Sequence, residues 1–129
     1  MRALRCDVFP VSVVLITEPE EYEKITKRTI DPHPYPCDGE AIASDYGGGH
    51  LLVVLGCVDD EEDDAVISML THEAVHLAQD TFRYIAEQEP GVETQAYLIQ
   101  YFSKYLVQEW RYHEAKKAKV VFSPEVDDE

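Results

Sequence analysis

The segment from Thr71 to Asp80 contains the sequence His-Glu-Ala-Val-His, in which two histidines stand four residues apart. On a helix this spacing puts both side chains on one face, with roughly 5–6 Å between Cβ atoms, so that both imidazoles can bind one metal ion. Zinc held in this way keeps an open position for water, and the glutamate beside the first histidine can take a proton from that water. The motif therefore predicts His72 and His76 as Zn²⁺ ligands and Glu73 as a general base.

The length and charge of the chain limit what surrounds this motif. With 129 residues and 45% hydrophobic content, we expect a single domain (1–129) with a real core, and a flexible C-terminal tail from about residue 123. The net charge of −15 argues against binding to nucleic acid or to an anionic membrane surface. No apolar run approaches the ~20 residues of a membrane span. The acidic run 59–64 is interpreted as the start of a helix, since the glycine and final glutamate of a calcium-binding loop are missing.

Three widely spaced cysteines, Cys6, Cys37 and Cys57, form no Cys-x-x-Cys pair. Neither a disulfide framework nor a cysteine-rich zinc site is indicated, and a reducing, cytoplasmic location is the simplest expectation. The proline-rich segment 29–39 holds His33 and Cys37, which are possible ligands. The interpretation of both as loop residues without a metal is favoured.

Hydrophobic patterns predict an α+β fold, with a small antiparallel or mixed sheet packed against the motif-bearing helix and a second, antiparallel helix. The second strand of a hairpin around Gly47–Gly49 is apolar on both faces, so we expect it to be central. On the first long helix the apolar residues form one broad face, and we expect His72, Glu73 and His76 to lie off that face. The expected strands are 8–16, 40–46 and 50–58. The expected helices are 19–27, 65–86 and 92–113, and residues 114–119 could extend the last of them. Residues 120–122 are expected to form a short strand or to dock on the core.

A third zinc ligand is expected. The metzincin pattern is excluded because Gln79 and Phe82 occupy the positions of its glycine and histidine. Asp80 lies eight residues, about 12 Å of helix rise, beyond His72, so it is a partner that orients an imidazole or a surface acid. Glu93, in the first turn of the next helix, could face the histidines if the two helices pack antiparallel. The alternative is a solvated acid at a helix N-terminus, and the interpretation as a ligand is favoured.

His-Glu-Ala-Val-His followed by Glu93-Thr94-Gln95-Ala96-Tyr97-Leu98 resembles small phage and prophage proteins with a gluzincin-like zinc-peptidase core. The resemblance covers about residues 51–110. It implies a minimal zincin-like fold in which His72, His76 and Glu93 bind Zn²⁺ and Glu73 is the general base. It also implies a peptide or protein substrate, with the strand at residues 50–55 lining the substrate cleft.

The resemblance departs from the thermolysin-type pattern at position 97, where an aspartate is replaced by tyrosine. The hydrogen bond that orients His72 would then come from Tyr97, Asp80 or a main-chain carbonyl. His50 and Tyr97 are also candidate donors to the oxyanion of a peptidase reaction. Further candidates are Tyr101, Tyr105, Arg111, Tyr112 and His113.

Three functions are compatible with these features. The first is a zinc metallopeptidase, acting in the host cytoplasm if the protein is phage-encoded. The second is a catalytically silent, zinc-stabilised binding protein, in which the metal contributes folding energy. The third is an acidic, nucleic-acid-mimicking inhibitor of a host protein, which binds through its negative charge and without metal. The sequence leaves the oligomeric state open.

Overall fold

The fold is α+β, with four strands and three helices in the computed structural model, which describes residues 2–27 and 32–122, and the side chains up to residue 118. Part of the predicted proline-rich loop and the predicted tail from residue 123 lie outside these residues. The strands are β1 (Ala3–Arg5), β2 (Ser12–Ile16), β3 (Ala41–Asp45) and β4 (His50–Leu55). The helices are α1 (Pro19–Thr26), α2 (Asp63–Tyr84) and α3 (Val92–Phe122).

The sheet is mixed, with strand order β1-β2-β4-β3. Strands β2 and β4 pair in parallel, whereas β1 pairs with β2 and β3 with β4 in antiparallel fashion. The predicted central position of β4 is confirmed, since Leu51 to Leu55 are all buried. Strand β1 was not predicted because its three residues carry no periodic signal and form a strand only by pairing with β2.

Both faces of the sheet are covered by helices. Successive residues of a strand point to opposite faces, and the inner strands β2 and β4 carry apolar side chains on each face. One face, with Val13, Leu15 and Val53, packs against α2 and α3. The opposite face, with Ile16 and Val54, packs against α1. This arrangement places α1 on one side of the sheet and the two long helices on the other.

Helix α3 lies over the β1–β2 half of the sheet. The Tyr105 hydroxyl donates a hydrogen bond to the carbonyl oxygen of Arg2 (2.6 Å) and accepts one from the amide of Leu15 (3.3 Å). The Arg2 guanidinium donates to the buried Glu109 carboxylate, at 2.9 Å from Nε. Since β3 is at the opposite edge of the sheet, α3 does not cover the space between α2 and β3.

Helix α3 extends beyond residue 113 through the segment 114–119, an extension that the sequence allowed, and residues 120–122 also belong to it. The prediction of a short strand there was wrong, whereas docking of these residues on the core stays a prediction, because their side chains lie outside the described part of the chain. The sequence Glu-Ala-Lys-Lys-Ala-Lys that follows His113 consists of strong helix formers without a glycine or proline to end the helix. No helix within the described residues is long and apolar enough to cross a membrane.

Candidate functional site

His72 and His76 lie one turn apart on α2, and both side chains are exposed. Their ring centroids are 4.9 Å apart, at an interplanar angle of 76°. Nδ1 of His76 lies 3.1 Å from Oε1 of Gln79. With Gln79 oriented in this way, Nδ1 carries the proton, which leaves the Nε2 lone pair of His76 free. A histidine held at one nitrogen and free at the other is in the form that binds metal ions.

Glu73 is buried, with only 5% of its surface exposed. Its predicted position off the buried face of the helix was wrong. Residue 73 stands three positions after Leu70 and four before Leu77, both of which are fully buried, so it shares their stripe on the helix. The apolar pattern alone had assigned this polar residue to solvent.

Burial raises the pKa of Glu73 above its ordinary value, because removal from water disfavours the carboxylate. The nearby His72 and His76 oppose this effect, since a positive imidazolium favours the carboxylate and lowers the pKa. A carboxyl group with a raised pKa is a better proton acceptor and donor in catalysis than an ordinary surface carboxylate.

These three side chains line a groove of about 370 Å³ between α2 and the edge strand β3. The residues of β3 that line it, Ala41 to Ser44, have mostly small side chains, which leaves space beside the helix. The groove as a whole is lined by His33, Ala41, Ile42, Ala43, Ser44, His72, Glu73, His76, Gln79, Asp80 and Arg83.

Substitution of Glu73 by glutamine is expected to stabilise the metal-free protein at neutral pH. Near pH 3 both the folded and the unfolded states hold the carboxyl proton, and burial has little ionic cost. As the pH rises past the ordinary glutamate pKa of about 4.3, the unfolded state loses its proton first, so wild type loses stability until the raised folded-state pKa is passed. Glutamine does not titrate, and the variant avoids this loss.

Thermal unfolding with a chelator present, at pH 3, 5 and 7, measures the effect. The midpoint of Glu73→Gln should exceed that of wild type by a few degrees at pH 7 and by almost nothing at pH 3. The exposed Glu23, changed to glutamine, is the control and should show no such trend. A difference that is constant with pH would contradict a buried, titrating carboxyl group.

The structure brings Asp80 to the same groove, as a residue paired with Arg83. Oδ1 of Asp80 accepts a hydrogen bond of 2.6 Å from Nη1 of Arg83, one turn further along α2. Because the carboxylate is engaged by this guanidinium, its contact is with Arg83 rather than with an imidazole.

Glu93 is exposed and does not line the groove. It stands at the start of α3, level with the last turn of α2, whereas His76 lies eight residues, about 12 Å, before the end of α2. Helix α3 also lies toward the β1–β2 side of the sheet, away from β3. Among the described residues, no group of three His, Cys, Asp or Glu side chains is positioned to hold a metal ion. Glu93 as a ligand therefore stays a prediction.

Two further candidates, Tyr97 and His50, lie elsewhere. Tyr97 is 69% exposed and lines an apolar depression with Phe9 and Tyr101. His50 accompanies Ser12 in a separate pocket, with 2.9 Å between Nδ1 and the serine Oγ. The structure does not bring either residue to the motif.

Sequence reasoning missed Gln79 and Arg83 and favoured a role without metal for His33, yet all three line the groove. A signal for the first two was present, because Gln79 is three residues after His76 and Arg83 is three after Asp80, the spacing of helical neighbours. His33 had no such signal, since its approach to α2 depends on tertiary structure.

The groove thus joins two exposed imidazoles and a buried carboxylate on one wall with the edge of a sheet on the other. This arrangement is suited to binding a cation and an extended chain side by side. Comparisons of the chain with models of known protein families, with curated protein sequences and with solved structures gave no match.

Proposed function

We propose that this protein is a zinc-dependent peptidase with a minimal zincin-like core, which hydrolyses a peptide bond of a segment bound in extended form along β3. The observation that supports the proposal most directly is the position of Glu73. It is a buried carboxylate on the same turn as two exposed histidines, in a groove whose other wall is an edge strand.

Two side chains of the groove have the chemistry and spacing of ligands to one zinc ion. His72 and His76 would hold the ion, and Gln79 orients His76 through Nδ1. The resemblance names Glu93 as a third ligand. Zinc bound here would polarise the peptide carbonyl and lower the pKa of the attacking water.

Strand β3 offers a peptide a row of main-chain groups. The amide of Tyr46 donates to the carbonyl of His50 (2.7 Å), and the amide of Gly56 donates to that of Glu40 (2.8 Å). In the segment 40–46, the main-chain N–H and C=O groups of the even-numbered residues therefore point toward β4. By alternation, the N–H and C=O groups of Ala41 and Ala43 point to the outer edge, which no other described strand covers. An added peptide strand would pair with these groups.

Glu73 would move the proton in the reaction. Its carboxylate would accept a proton from the attacking water and transfer it to the nitrogen of the leaving amine, which becomes a good leaving group only when protonated. The partly apolar surroundings that raise the pKa of Glu73 support this role, because the protonated form is less costly there.

The proposal is tested first by metal content and then by turnover. Purified protein that has been depleted of metal and reloaded should hold about one zinc per chain. It should cleave a library of internally quenched peptides, and a chelator should stop the cleavage. Wild type that binds no zinc after reloading would overturn the proposal.

Ala43→Pro is expected to reduce peptide cleavage about 10-fold or more without loss of zinc. Proline removes the outward N–H of residue 43, which we propose pairs with the substrate, and its ring occupies the strand edge. A lost hydrogen bond of about 1 kcal/mol together with this obstruction accounts for the size of the effect. The fold should persist, because a proline on an outer edge removes no ladder hydrogen bond.

Measurement of kcat/KM on the same peptide library, with zinc content in parallel, checks this prediction. Ala43→Ser keeps the N–H and is the matched control, which should behave as wild type. Equal kcat/KM for the proline and serine variants would show that substrate does not pair with β3.

A catalytically silent, zinc-stabilised binding protein is the second candidate, supported by the outer edge of β3, which no other described strand covers and which a peptide can pair with whether or not it is cleaved. In that case the groove and β3 bind a peptide, and Glu73 is not needed. Both proposals include a reducing, cytoplasmic location. The three cysteines, Cys6, Cys37 and Cys57, are free thiols, which is the form that such a compartment maintains.

A further inference from the structure

Three of the five histidines of the chain line the one groove. His72 and His76 come from α2, whereas His33 comes from the segment that precedes β3. Among the groove residues with metal-binding chemistry, Glu73 is buried and assigned to proton transfer, and Asp80 is engaged by Arg83. His33 is the imidazole left to complete a site with the other two.

The main chain at His33 is bonded by Tyr22, and Tyr22 packs against Tyr35, which is in turn bonded to the central strand. The Tyr22 hydroxyl donates a hydrogen bond to the carbonyl oxygen of His33, and the Tyr35 hydroxyl donates to that of Leu55 in the central strand (3.0 Å). The two rings pack edge to face, with centroids 5.7 Å apart. Burial raises the pKa of Tyr35 to about 12, so its hydroxyl stays protonated and remains a donor. His33 is thus anchored to the sheet beside the groove.

The imidazole of His33 has the proton arrangement of a ligand. Its Nδ1 lies 2.8 Å from the carbonyl oxygen of Pro34, and a carbonyl can only accept. Nδ1 therefore carries the proton and Nε2 keeps a free lone pair, as in His76. Metal-bound histidines commonly make this contact to a main-chain carbonyl through the nitrogen that does not bind the ion.

We propose that His33 is the third protein ligand of this zinc site, in place of Glu93. The inference rests on the proposed zinc binding by His72 and His76. Without the metal, the three imidazoles do not converge within the described residues. The His33 side chain is exposed, so a rotation that brings Nε2 toward the ion disturbs its own Nδ1 contact with Pro34 and no buried packing.

Zinc affinity, measured by competition with a chromophoric chelator, tests the proposal on wild type and on His33→Ala, Glu93→Ala and His50→Ala. His33→Ala should weaken binding at least about 100-fold, since loss of an outer partner alone costs 10–100-fold. The other two should stay within about threefold of wild type, and His50→Ala is the matched control for loss of a histidine outside the groove. Unfolding of the metal-free variants at the same temperature as wild type would exclude a general loss of structure.

A nitrogen NMR titration of the wild-type histidines with Zn²⁺ gives an answer even if His33→Ala does not fold. Three imidazoles should show metal-bound Nε2 signals. Two bound imidazoles, or a His33→Ala affinity near that of wild type with Glu93→Ala sharply weakened, would overturn the role of His33 and leave the peptidase proposal standing. No zinc binding by wild type would overturn both.

Discussion

Zinc-loaded Glu73→Gln protein is expected to cleave peptides about 10²–10⁴-fold more slowly than wild type, the range that general acid–base catalysis contributes. Glutamine has nearly the same size and shape as glutamate, so the groove and the two exposed histidines are retained. It cannot accept a proton from the attacking water or deliver one to the leaving amine. The loss should therefore appear in kcat, with a small change in KM.

Zinc content and zinc affinity of the Glu73→Gln protein provide the control, because both should match those of wild type. Binding of an uncleaved peptide should also be preserved. If the variant cleaved peptides at the wild-type rate, Glu73 would not be the general base. If neither protein cleaved peptides but both bound zinc and peptide equally, the silent binding protein would be the better description.

Gly56→Ala is expected to destabilise the protein by about 3 kcal/mol or more, at the upper end of the cost of overpacking. A Cβ atom on residue 56 would lie 2.2 Å from the carbonyl oxygen of Cys37 and 3.0 Å from that of Pro36. These are main-chain atoms that cannot turn aside, so the segment must move away from the end of β4. The same segment carries His33 and the anchoring Tyr35, and zinc affinity should fall together with stability.

Urea denaturation measures the destabilisation, with Gly91→Ala as the matched control. The nearest atom to a Cβ on residue 91 would be Oγ1 of Thr94, at an ordinary contact distance of 3.7 Å. The control should therefore lie within about 0.5 kcal/mol of wild type. A Gly56→Ala protein as stable as the control would mean that the segment before β3 is not packed against β4 in this way.

The local features of the site were predictable because they follow from helix periodicity. His72 and His76 stand one turn apart, as four-residue spacing on a helix requires, and they are exposed because they lie off the apolar face of α2. The central position of β4 followed from its apolar residues on both faces. Burial of Glu73 was missed, since an apolar pattern cannot show when a polar residue shares the buried stripe.

The sequence by itself determined the motif, its helix, the hairpin that ends in the central strand and the acidic character of the surface. Each of these depends on neighbours within a few residues along the chain. Only the tertiary structure decided which strand is left at the edge, which side of α2 is covered by α3, and that His33 reaches the groove. These outcomes depend on packing between segments far apart in sequence, where the pattern of either segment alone carries no information about the other.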